Sequence, residues 1–192
     1  MCIRDRRAGR NAVEYVKTAE FVPLPENPAG FVSGMLEDLR NNQGTERIAV
    51  LRKTLQDEMD KGAQVFRTHE SLQHVLGVIA ELRERYKNVH VDDKGKRFNT
   101  DLLEAVELGF LLDIAEVVVY AAQNREESRG GHMRDDFPKR NDDKYMKHTM
   151  AYLTGDPHSS TPSDHIKLDW KPVVFTKNEQ GEFNYPPMER KY

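Results

Sequence analysis

The sequence predicts a mainly α fold: a three-helix up-down-up bundle, spectrin-repeat-like, followed by an irregular C-terminal tail with a short β hairpin or strand. Two observations predict it. Three amphipathic segments follow one another with short connections, the pattern of helices packed side by side in alternating directions. After Arg129 that periodicity stops, and glycine, proline and charged residues take over.

The elements follow in order. Arg6 to Ala19 reads as a short helix with Ala8, Ala12, Tyr15 and Val16 near one face. Pro23, Pro25 and Pro28 make the next stretch an extended linker. Phe31 to Leu39 reads as one helical piece before Asn41-Asn42-Gln43-Gly44. The first bundle helix runs from about Thr45 to Lys61, with Ile48, Leu51, Leu55 and Met59 on one stripe. Thr45 or Gly44 is its expected cap, and Gly62 its stop. The second runs from Ser71 to Tyr86 and buries Leu72, Val75, Leu76, Ile79, Leu82 and Tyr86 at three-and-four spacing. The third starts after Asn99 or Thr100 and continues to about Asn124. It is apolar nearly all round, which predicts neighbours on more than one face. Beyond it, Tyr145 to Leu153 reads as a strand or short helix and Lys167 to Phe175 as a strand. Asn178 to Gly181 reads as a turn, after which Phe183 to Tyr185 returns beside that strand.

Composition narrows the function. Hydrophobic residues make up 38% and charged residues 32%, so the core is modest and the solvated faces long. The formal charge is -3, with acids and bases interspersed, which argues against a nucleic-acid partner. The most apolar stretch, Leu102 to Ala122, carries Glu104, Glu107, Asp113 and Glu116, so direct membrane insertion is not expected. The single cysteine, Cys2, excludes an intrachain disulfide and a cysteine-based zinc site. Arg6-Arg7-Ala8-Gly9-Arg10 enters a helical pattern with no cap before it, which predicts that the first residues are not a native terminus.

Catalytic signals are sparse. No glycine-rich phosphate loop, no Gly-x-Ser-x-Gly elbow and no His-Glu-x-x-His is present. The histidines, His69, His74, His158 and His165 among them, read as surface or loop residues rather than a convergent ligand set. Asp113 and Glu116 neighbour one another on a helix; such a pair serves acid–base chemistry, a solvated stripe, or arginines from another element. The unusual stretch is Glu127 to Pro138, which sets Arg129, His132 and Arg134 beside Gly130-Gly131. Guanidinium groups grip carboxylates and phosphates, and paired glycines allow close backbone approach. The stretch is either an anchoring loop docked on another domain or cofactor, or an ordinary charged loop after a helix.

Glu127-Ser128-Arg129-Gly130-Gly131-His132, with Arg134-x-Asp136-Phe137-Pro138-x-Arg140-x-Asp142-Asp143, resembles the C-terminal signature of succinate dehydrogenase and fumarate reductase flavoprotein subunits. Phe98-Asn99-Thr100-Asp101-Leu102 with Glu107-Leu108, Trp170-Lys171-Pro172-Val173 and Pro186-Pro187-x-x-Arg190-x-Tyr192 resemble the same family, as does Arg7-Ala8-Gly9. Gly131 departs from it, since alanine is commoner there.

The resemblance implies a division of the chain. Residues 1–20 would be the remnant of the last helix of an upstream FAD-binding domain, 21–44 a linker, 45–128 the three-helix bundle and 129–192 its tail. It implies interconversion of succinate and fumarate with FAD bound upstream, and electron transfer to an iron–sulfur subunit. It also implies a place on the cytoplasmic side of the bacterial plasma membrane, peripheral through the complex. No catalytic, cofactor-binding or metal residue falls on this chain, which alone is expected to be inactive. Ser128, Arg129, Gly130, His132, Arg134 and Asp136 are the residues expected to dock the loop on the FAD-binding domain. Two rivals stand beside this: a non-catalytic helical interaction module, and the C-terminal domain of a related flavoprotein such as L-aspartate oxidase.

Overall fold

A computed structural model of the chain describes residues 2–155 and 161–182. His158, the returning segment Phe183 to Tyr185 and the motif from Pro186 to Tyr192 lie outside the described residues. The chain divides into two compact units, Met1–Glu37 and Asp38–Tyr192.

The first unit holds helix α1 (Cys2–Val16), whose last turn is closed by the Thr18 and Ala19 amides on the Tyr15 carbonyl. An irregular stretch follows through the prolines, then the start of α2 (Gly30–Asn41). Tyr15, Val16, Phe21, Val22, Leu24 and Phe31 are all exposed.

The second unit contains the bundle: α3 (Ile48–Gly62), α4 (His69–Tyr86) and α5 (Thr100–Gln123), with α4 packed against both of the others. The core is the set of positions that the periodicity marks. Leu51, Leu72, Val75, Ile79, Leu82, Leu108, Leu112 and Val119 are almost completely removed from solvent. Each such side chain contributes about 1.5–3 kcal/mol on burial. Tyr86 is half-buried; its hydroxyl donates to the Ala105 carbonyl at 2.9 Å, and burial, helped by Asp113, pushes its pKa up to about 12.

The cap follows the sequence at α5, falls at α4 on a residue the periodicity did not mark, and departs from the sequence at α3. Asn99 caps α5 by accepting the Leu102 amide at 2.7 Å. Thr68 caps α4 in a reciprocal box with Ser71, so that helix starts earlier than the apolar pattern suggests. Helix α3, however, starts at Ile48 after Arg47, with no side-chain cap and without Thr45 or Gly44 in that role. The reason is long-range pairing. Gln43 and Glu46 are drawn out as short bridges to His90 and Val89, and a Cβ on Gly44 would lie 2.0 Å from the Asn88 carbonyl oxygen. Residues 43–46 are therefore extended where the helical pattern predicts the first turn.

Phe98, just before that Asn99 cap, is the only non-glycine with positive φ (52°) among the described residues, and its side chain is fully exposed. Asn99 fixes this turn by donating to the carbonyls of Asp93 and Gly95 at 2.6 and 2.9 Å. Left-handed backbone costs a residue with a Cβ, and glycine escapes that cost. Phe98→Gly should therefore raise the urea midpoint of the chain; a lowered midpoint would show that the aromatic ring contributes to the isolated fold.

The tail is less irregular than the sequence suggests. A four-residue helix, α6 (Asp142–Tyr145), leads into β1 (Lys147–Leu153). β1 pairs antiparallel with β2 (Ile166–Pro172), from Lys147 opposite Pro172 to Leu153 opposite Ile166. A turn at Asn178–Gly181 follows, with Gly181 at φ 82°.

Helix α5 meets α3, α4, β1 and the turn Pro162–Asp164, as its apolar character predicts, but its cover is incomplete. Its buried face carries Ala105, Leu108, Leu112, Ala115 and Val119, as a bundle helix should. The opposite face, Leu103, Phe110, Leu111, Ile114 and Val118, is exposed rather than covered.

Candidate functional site

The sequence between the end of α5 and β1 alternates charges around two glycines, and it folds as a knot rather than a mobile loop. Its centre is Glu127, whose side chain is wholly buried. One oxygen accepts from Arg125 Nη1 at 2.5 Å and Arg129 Nε at 2.8 Å. The other accepts from Arg129 Nη2 at 3.0 Å and the Asn141 amide at 2.8 Å. Burial works to raise the Glu127 pKa, but these donors outweigh it and hold the carboxyl below the usual carboxylate range.

Arg129 reaches further, to Asp142 Oδ1 at 2.6 Å, and so ties the loop to α6. Arg125 does the same for the hairpin. It donates to the carbonyls of Tyr145 and Lys147 and lies over the rings of Tyr145 and Trp170, about 5.5 Å from each centroid.

Between them the backbone makes a tight reversal. The amides and carbonyls of Arg129 and His132 pair with each other, and Gly130 takes φ 62° at the tip. Ser128 accepts the Arg134 amide at 2.8 Å and turns its hydroxyl to the Phe137 carbonyl.

His132 lies beneath this tip. Its Nδ1 faces Arg67 Nη1 at 2.9 Å and its Nε2 the Arg125 carbonyl at 2.9 Å. A guanidinium can only donate and a carbonyl only accept, so the ring is neutral with the proton on Nε2. Burial, with Arg67, Arg134 and Arg125 close by, moves its pKa below 6.5 despite the Arg125 carbonyl. A depressed histidine stabilises the fold above its unfolded pKa, and that contribution is lost as pH falls through the folded value. An NMR titration should therefore give a His132 midpoint below that of free histidine; a midpoint above it would refute the neutral assignment.

Arg134 is completely buried and does not point outward. Its Nη1 donates to the carbonyls of Ala122 and Gln123 at 3.0 and 3.1 Å, the last groups of α5. Its Nε and Nη2 grip Asp136 at 2.7 Å each, and Asp136 in turn accepts the His69 amide at the start of α4 at 2.8 Å. The ion pair thus closes two helix ends of opposite polarity.

The six residues singled out from sequence therefore share one loop. Ser128, Arg129, Gly130 and His132 form its tip and base, while Arg134 and Asp136 anchor it to α4 and α5. Sequence reasoning missed Arg125 and the central role of Glu127. The alternation Arg125-x-Glu127-x-Arg129 directly after an apolar helix was the available signal, since a buried carboxylate needs charged partners.

The other carboxylate pair is structural. Arg83 binds Asp113 at 2.8 Å and Glu116 at 2.6 Å. Glu116 is buried and also faces His165 Nε2 at 3.0 Å, so His165 is a buried core residue rather than a surface or loop one. The long separation between residues 116 and 165 hid this pair from local pattern reading. Among the described residues no group of three or more His, Cys, Asp or Glu is placed to hold a metal.

These features define a helical bundle closed by a charged loop whose arginines and carboxylates pair within the chain. The family described as "Fumarate reductase flavoprotein C-term" matches residues 52–192, and the chain belongs to that family. It is 37% identical over 188 residues to the succinate dehydrogenase flavoprotein subunit of Rickettsia conorii, and 34% over 187 residues to the fumarate reductase flavoprotein subunit of Haemophilus influenzae. These matches cover 97% and 96% of this chain but 30% of each relative, so the chain spans about a third of the length of the proteins it resembles. The fold is similar to a solved E. coli quinol fumarate reductase chain, with TM-score 0.78 and 34% identity over 95% of this chain and 29% of that one. It is also similar to a chain of the Mycobacterium smegmatis Sdh1 complex, with TM-score 0.75 and 27% identity over 87% of this chain and 28% of that one.

Proposed function

We propose that the chain is the C-terminal helical domain of a succinate dehydrogenase or fumarate reductase flavoprotein. In the complete protein FAD would be bound upstream, succinate and fumarate interconverted there, and electrons passed to an iron–sulfur subunit. The domain would supply support rather than chemistry. Residues 1–20 would then belong to the FAD-binding domain, 21–44 to the linker, 45–128 to the bundle and 129–192 to its tail. No described helix is long and apolar enough to cross a membrane, so attachment to one would be peripheral, through partner subunits.

The observation that carries this reading is the saturated knot at Glu127 in a chain of this family. Ser128, Arg129, His132, Arg134 and Asp136 engage groups of this chain, so their docking role is indirect: they hold the Gly130-Gly131 tip rigid for the upstream domain to meet. A Cβ at Gly131 would meet nothing within 4 Å and the residue is exposed, so Gly131→Arg should leave the melting of the free chain unchanged. In the complete flavoprotein the same substitution should lower flavin content and turnover. Unchanged flavin content and turnover, with the arginine present, would remove the docking role.

A further inference from the structure

We propose that His132 and Arg67 form an acid-released latch between the loop tip and the connection from α3 to α4. Two ties join that connection to the loop. One is backbone: the Asp135 amide donates to the Arg67 carbonyl at 2.8 Å, beside the short parallel bridge of Arg67 with Arg134. The other is side chain: Arg67 Nη1 donates to His132 Nδ1 at 2.9 Å. Only the second rests on an acceptor that titrates near neutral pH.

A proton on Nδ1 turns that acceptor into a donor and sets N–H against N–H. The other ring nitrogen is unaffected, because Nε2 donates to the Arg125 carbonyl in either charge state. The imidazolium therefore stays and the guanidinium leaves. Arg67 is half-buried, and its remaining side-chain bond, Nε to the Gln64 carbonyl at 2.8 Å, lies within the connection itself.

The charges around the ring favour release over rescue. Burial, with Arg67 from the connection, Arg134 from the loop and Arg125 from the end of α5, moves the His132 pKa below 6.5 despite the Arg125 carbonyl. Lys147 and His148 of β1 border the neighbouring cleft, and Lys139 and Arg140 line the outer side of the loop. The carboxylates nearby are engaged: Glu127 with Arg125 and Arg129, Asp136 with Arg134, Asp142 with Arg129 and Arg140, and Glu126 with Lys144. Asp135 and Asp143 are exposed. The latch is thus closed above the folded pKa of His132 and opens as pH falls through it. Opening is local. The loop base stays held by the Asp135 amide and by Asp136, which accepts the His69 amide and keeps its charge down to about pH 2.

Nitrogen-15 NMR of the 192-residue chain, from neutral to mildly acidic pH, tests this. The Arg67 Nε–H should be ordered at neutral pH and lose that order in step with the His132 ring titration, while the Asp135 amide stays protected from exchange. In His132→Gln the step at Arg67 should vanish. In Arg67→Gln the His132 midpoint should rise, because by linkage the contact opposes the proton as much as the proton opposes the contact. Arg67 order that ignores the ring, a step that survives in His132→Gln, or a midpoint left in place in Arg67→Gln would each overturn the latch. Loss of Asp135 protection in the same step would make the event general unfolding and overturn it too. The Arg67→Gln arm replaces a half-buried side chain on the connection, so it decides the matter even if His132→Gln does not fold.

Discussion

Replacing Glu127 by Gln is expected to destabilise the domain by about 3–5 kcal/mol, the usual consequence of removing one partner from a buried ion pair. The carboxylate accepts from two arginines and the Asn141 amide with no exposure of its own. Glutamine keeps the shape but presents an NH2 group to donors and leaves Arg125 and Arg129 without their shared counter-charge. Small domains are stable by only about 5–15 kcal/mol, so a loss of this size consumes a large part of the total. Equilibrium urea denaturation of parent and variant measures it. A change below about 0.5 kcal/mol, the size usual for surface substitutions, would mean that the knot is a solvated cluster rather than a core element.

Arg134→Met should have a comparable effect, again about 3–5 kcal/mol, for a different reason. Methionine fills much of the volume, so the loss is not a cavity. What disappears are the donors to the last carbonyls of α5 and the partner of Asp136. Lysine does not substitute, because one ammonium cannot reproduce a planar fork that serves helix end and carboxylate together.

This variant also carries a pH signature. Arg134 chiefly holds the Asp136 pKa down at about 2, against 3.8 for a free side chain. A depressed carboxyl adds stability that is complete above its unfolded pKa and lost as pH falls through its folded one. In the parent protein, stability should therefore decline between about pH 4 and pH 2 from this group. In Arg134→Met that part of the decline should flatten; denaturation midpoints collected across the window decide it, and an unaltered slope would exclude the pair as its source.

The helical half of the fold was legible because local periodicity encodes it. Leu72, Val75, Leu76, Ile79 and Leu82 lie on the buried face of α4 as their spacing dictates, and Asn99 caps α5. What escaped detection was set by contacts between distant residues. Gln43 to Glu46 carry a plausible helix start but pair with Val89 and His90 instead. Arg134 reads as a guanidinium docking on another domain until the carbonyls of α5 are seen around it. His165 reads as a loop histidine until Glu116 is found beneath it. The candidate loop was recognisable by its composition and its family resemblance, while the inward direction of its side chains was not. Composition records which charges are present and leaves open which of them are enclosed. The bare face of α5 is the converse case: the sequence correctly showed a helix apolar on both sides, but the second side has no cover among the described residues.

The Arg134–Asp136 clasp also bears on the lifetime of the folded domain. It joins residues 67 positions apart, His69 and Asp136, around helices whose own contacts are largely local. Closing so long a loop costs chain entropy, so the clasp is expected to form after the helices have paired and to contribute little to the transition state. Loosening the clasp should then leave the refolding rate nearly unchanged and speed unfolding. The clasp would act as a kinetic lock, deciding how long the α4 and α5 ends stay shut once folding is complete.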